Sequence, residues 1–85
     1  VPKENDKERV HNRIAVLRAE RGVSRRDLAQ ALGVHYQTVG YLERGEYSPS
    51  LHLALNIAAY FEVPVEVIFA LEPFPRLGAT RTERP

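Results

Sequence analysis

A chain of 85 residues and 9.7 kDa has room for one small domain, and too little for most enzymes built around a deep cleft. Without cysteine it can hold no disulfide, thiolate zinc site, iron–sulfur cluster or cysteine nucleophile, and His11, His35 and His52 lie too far apart in sequence to suggest a metal site. A net charge of +1, no apolar run near the ~18 residues of a membrane span, and a charged first decapeptide without an apolar leader lead us to expect a soluble cytoplasmic protein.

Hydrophobic spacing reads helical nearly throughout. Val10, Ile14 and Leu17 recur at i, i+4, i+7 and predict an amphipathic helix over about residues 7–21, closed by Gly22. Ser24 can cap a second helix, with Asp27 three residues on as in a capping box. Its inner stripe is Leu28, Ala29 and Leu32, and it stops at Gly33. A third helix follows at once, capped by His35 or its neighbour, with Val39 and Leu42 inward and Gly45 at its end. Residues 45–49 form a turn by composition. Ser48 or Pro49 starts a fourth helix that turns Leu51, Ala54, Leu55, Ala58 and Phe61 inward. Val63-Pro64 breaks it, and a short fifth element runs from Val65 to about Ala70. From Leu71 the pattern fades, and the last ten residues are expected to be disordered.

Charge is unevenly spread. Seven arginines against Glu20, Asp27 and Glu43 give residues 9–44 a net +4, whereas residues 45–72 carry four glutamates and no Lys or Arg. A basic first half joined to an acidic second half suggests one face for polyanions, although solvated surface charge can look the same along a sequence.

The link between the second and third helices is the informative one. Ala29-x-x-x-Gly33 leaves little side chain where two helices must approach, and Val39 and Leu42 fix the third helix against that corner. Further along come Glu43-Arg44-Gly45, Pro49-Ser50-Leu51, Val63-Pro64 and Ile68-Phe69. On these features, residues 12–69, about two-thirds of the chain, resemble Cro/CI-type (Xre-like) helix-turn-helix regulators of bacteria and phages. The resemblance implies an all-α, compact five-helix lambda-repressor-like DNA-binding domain over residues 8–70. A charged arm (1–7) would precede it and a partly disordered extension (71–85) would follow.

It also implies roles for single residues. The second helix would cross the sugar–phosphate backbone and the third would enter the major groove. Tyr36, Gln37, Thr38 and Tyr41 match base-contact positions, and Ser24, Arg25, Arg26, His35 and Arg44 match backbone contacts. On chemistry alone Gln37 is the best reader, because its amide can bond adenine N6 and N7 together. Tyr41 can instead pack on the fourth helix. Arg18 and Glu43 match a structural ion pair of relatives. Gly40 stands where relatives carry a polar side chain; it removes a DNA contact, allows a closer approach, or is a tolerated glycine with no role.

A module this small reads few base pairs, and regulators of the type it resembles usually act as dimers, so the resemblance implies a homodimer on two half-sites about 34 Å apart. Val67, Phe69, Leu71 and Phe74 are the candidate interface, with a short dimerisation strand at about 70–74; the alternative is that they only close the monomer core. The expected function is a sequence-specific double-stranded DNA-binding regulator, a repressor without cofactor or metal. The alternative is an antitoxin-like module whose Pro/Arg-rich tail binds a partner protein. No nucleophile–base constellation points to an enzyme.

Overall fold

The structure is a computed structural model and describes residues 10–75. The expected N-terminal arm and residues 76–85 of the expected extension lie outside the described residues. In chain order the elements are β1 (His11–Asn12), α1 (Ile14–Arg21), α2 (Arg25–Leu32), α3 (Tyr36–Glu43), α4 (Leu51–Phe61), α5 (Val65–Ile68) and β2 (Phe69–Ala70). Five helices enclose the core, and a two-stranded antiparallel sheet, with His11 opposite Ala70 and Asn12 opposite Phe69, ties the first element to the last.

Local chemistry sets the helix ends. α1 begins at Ile14 rather than near residue 7. The Asn12 side chain explains the late start: its Oδ1 accepts from the Ile14 N–H (3.0 Å), and Val10 stands outside the helix. α2 carries the full capping box. Ser24 Oγ accepts from the Asp27 N–H (2.9 Å) and the Ser24 N–H reaches back to Asp27 Oδ2 (3.5 Å). Gly33 closes α2 in the left-handed region (φ 75°), and the Val34 N–H returns to the Ala29 carbonyl. His35 caps α3 through Nδ1, which accepts from the Gln37 N–H (3.1 Å). A ring nitrogen that accepts carries no proton, so the neutral ring bears its N–H on Nε2. Ser50, not Ser48 or Pro49, caps α4. That helix ends on Glu62 in the left-handed region (φ 60°), where glycine would be expected.

The core is formed by Ile14, Leu17, Leu28, Ala29, Val39, Leu42, Ile57, Ala58, Phe61 and Ile68. Burying each large side chain contributes ~1.5–3 kcal/mol. Two expectations for α4 are corrected here. Leu51 and Leu55 are 73% and 50% exposed, and Ile57 is the fully buried residue instead. The fifth helix is one turn long, and Phe69 leaves it to start β2. The strand expected near 70–74 lies at 69–70 and pairs with β1 of its own chain.

Candidate nucleic-acid interface

α2 and α3 meet at a corner made by Gly33, with Ala29, Val39 and Leu42 buried inside it. Burial of Val39 and Leu42 turns the opposite side of α3 outward. Tyr36, Gln37 and Tyr41 are exposed there, and Thr38 is half-buried.

Side chains around this face are held by partners. Glu43, nearly buried, accepts from two arginines at once: Arg18 Nε at 2.6 Å and Arg25 Nε at 3.0 Å. Arg18 Nη1 also donates to the Val23 carbonyl (3.1 Å), so α1, the α1–α2 turn and α3 are joined by one guanidinium. Arg44 pairs with Glu46 (3.1 Å), and that hydrogen bond holds the Arg44 pKa above its usual value. The Arg26 guanidinium lies 4.3 Å from the Tyr36 ring centroid, and the His35 ring stacks on Tyr36 at 5.0 Å. Arg44 lies 5.3 Å from the Tyr41 ring. Tyr41 thus stays at the surface, 45% exposed, rather than packing away against α4.

The corner gathers the expected base contacts Tyr36, Gln37, Thr38 and Tyr41 on α3, with Arg25 and Arg26 on the first turn of α2. The Ser24 oxygen is occupied as a cap acceptor, which leaves its hydroxyl proton to donate. Arg25 is less free than its position suggests, because Glu43 draws its guanidinium back across α3. Such a surface offers fixed N–H and O–H donors and net positive charge, the chemistry that groove edges and phosphates accept.

The four expected interface residues lie elsewhere, in and beyond α5. Phe69 packs against the core, and Phe74 sits under the Arg13 guanidinium at 4.2 Å. Val67 is half-buried, with its carbonyl accepting from Arg13 Nε (3.2 Å). Leu71 alone is largely exposed (77%). Two positioning residues escaped the sequence reading. Asn12 Nδ2 donates to the Leu42 carbonyl (2.8 Å) and anchors the end of α3. Arg21 Nη1 donates to the Phe61 carbonyl (2.8 Å) and anchors the end of α4. Asn12, of a residue type that bonds backbone N–H groups two places on, carried a signal; Arg21 carried none.

Two helices joined by a glycine turn, the second presenting a polar and aromatic outer face, define a helix-turn-helix domain. A profile of the helix-turn-helix family matches residues 14–68, and the chain belongs to that family, of the Xre/Cro–CI type. Its relatives include helix-turn-helix-type transcriptional regulators, themselves uncharacterised, of Methanocaldococcus jannaschii and Bacillus subtilis. Each is 44% identical over 61 residues, which is 72% of this chain and 92% of the relative. The crystal structure of a candidate DNA-binding protein from Bacteroides fragilis superposes with a TM-score of 0.66 at 26% identity, covering 72% of this chain and 98% of the other. Among the described residues no helix is long and apolar enough to cross a membrane.

Proposed function

We propose that this helix-turn-helix regulator reads double-stranded DNA sequence-specifically and represses transcription by occupying an inverted-repeat operator as a homodimer. One observation carries the reading of DNA. The outer face of α3 presents Tyr36, Gln37 and Tyr41 to solvent while His35, Arg26 and Arg44 hold the two tyrosine rings in place. Ordered side chains lose little entropy on docking, which favours directional recognition over loose electrostatic binding. In this reading α3 lies in the major groove. Gln37 bonds a base edge, the tyrosines contact thymine methyls or phosphates, and Thr38 flanks them. Ser24, Arg26 and His35 face the backbone.

Selection from random duplex DNA at near-physiological salt tests this reading. Enrichment of an inverted repeat with half-sites about 34 Å apart is the expected result. Gln37→Ala then relaxes preference at one base pair per half-site by ~1–3 kcal/mol. Arg26→Ala weakens every sequence alike and lowers the salt slope by about 0.9. A folded protein that enriches no sequence would defeat the proposal. For the dimer, the exposed Leu71 is the residue to test. Leu71→Asp is expected to convert a dimer into a monomer in light scattering, and a dimer unchanged by it would move the interface elsewhere.

A further inference from the structure

Gly40 is the fifth of the eight residues of α3, and glycine there weakens the helix relative to alanine. Its backbone needs no glycine, because the positive φ angles fall at Gly22, Gly33 and Gly45 instead. A Cβ at position 40 would meet side chains: Arg44 Nη1 at 3.3 Å and Arg25 Nη1 at 3.9 Å. Two guanidiniums, one from the start of α2 and one from the end of α3, therefore converge over Gly40 and bury it. Arg25, Tyr36, Gln37, Gly40, Tyr41 and Arg44 line a cleft of about 240 Å³ at this point.

Each arginine already has a carboxylate on another edge. Arg25 Nε donates to Glu43, and Arg44 Nε and Nη2 donate to Glu46. Those bonds orient the guanidiniums and leave both Nη1 groups beside the same glycine. We propose that Gly40, Arg25 and Arg44 form a subsite for the O6 and N7 acceptors of one guanine in the major groove. This rests on α3 being the recognition helix, and it moves Arg25 and Arg44 from backbone contact to base reading. Phosphate is the competing acceptor for two arginines. It rewards uncompensated charge, whereas here Glu43 and Glu46 offset the charge and preserve the direction of the donors. Guanine alone among the bases shows two acceptors side by side in that groove. The missing side chain at position 40 makes room for the two guanidiniums, which bury the glycine and leave their outer N–H groups for a base edge at the cleft lined by the two tyrosines.

The test compares the wild-type chain with Gly40→Ala and Gly40→Leu on the selected duplex. Each guanine is replaced in turn by 7-deazaguanine, which lacks N7, and each phosphate by a methylphosphonate. For the wild type, one guanine per half-site is expected to be sensitive to the loss of N7 by about 5-fold, the low end of what a bidentate base contact carries, because O6 keeps its donor. In Gly40→Leu the same replacement is expected to change affinity less than about twofold, with Gly40→Ala between the two and preferences at other positions unchanged. Both variants remove a helix-interior glycine, so helical circular dichroism and melting temperature are expected to hold or rise. Three outcomes overturn the proposal. One is that no guanine responds to the loss of N7. Another is that Gly40→Leu weakens all duplexes alike, with a salt slope smaller by about 1 and a sensitive methylphosphonate, which assigns the cleft to phosphate. The third is that selection enriches no sequence, which defeats the underlying reading before any variant is made.

Discussion

The α2–α3 corner and the outer side of α4 are built in opposite ways. At the corner, Arg18, Arg25, Glu43, Arg44 and Glu46 are all tied into ion pairs, and Ser24, Asp27 and His35 into caps. α4 has eleven residues and none of them is charged. Its outer side shows Leu51 and Leu55, with a contact between Asn56 Nδ2 and His52 Nδ1 at 3.4 Å. The corner offers direction, because its donors are fixed before any partner arrives. The α4 surface offers area, because apolar contact is non-directional. A recognition surface and a packing surface can therefore be told apart by how many polar side chains already have partners.

Four substitutions probe that contrast, taken from the largest expected effect to the smallest. Ile57→Ala empties the fully buried side of α4 and is expected to cost about 3–4 kcal/mol in urea unfolding followed by circular dichroism. Glu43→Ala leaves Arg18 partly buried without its carboxylate and frees Arg25; about 2–3 kcal/mol is expected, less than for a fully buried pair. It should also blunt sequence preference, since Arg25 loses the bond that aims it. Glu62→Gly relieves a non-glycine residue from the left-handed region and is expected to stabilise by about 1 kcal/mol with DNA binding unchanged. Leu55→Lys on the outer side of α4 is expected to change unfolding by less than about 0.5 kcal/mol. A large loss there would mean that the outer side is packed after all.

The pairing of Ile57 with Leu55 also shows where the sequence was ambiguous. Leu51, Ala54, Leu55, Ala58 and Phe61 make one helical stripe, and Ala54, Ile57, Ala58 and Phe61 make another. Without a charged residue to mark the wet side, periodicity cannot choose between them. The capping box at Ser24, the turn at Gly33 and the outward face of α3 were legible, because each depends on residues a few places apart. Helix-turn-helix spacing likewise led to the family that the match over residues 14–68 identifies. The start of α1 was misplaced because Val10 continues the apolar spacing, while the competing signal was a single asparagine side chain. Arg25 could be placed on α2 but not aimed. Its direction depends on Glu43, which is distant in sequence and already shared with Arg18.

The small sheet carries a consequence in time. β1 and β2 are joined by strand pairing, by the Arg13 N–H to the Ile68 carbonyl, and by Arg13 Nε to the Val67 carbonyl, groups 54 residues apart in sequence. The ion pairs of the α2–α3 corner, by contrast, join residues no more than 25 apart. Closing the longer loop costs more entropy before any contact repays it, so the corner should assemble first and the strands should latch last. The same order runs backwards when the native protein fluctuates. In hydrogen exchange the amides of Arg13 and of the strand pair are expected to open before those of α2 and α3, so the latch can loosen while the α2–α3 corner stays assembled.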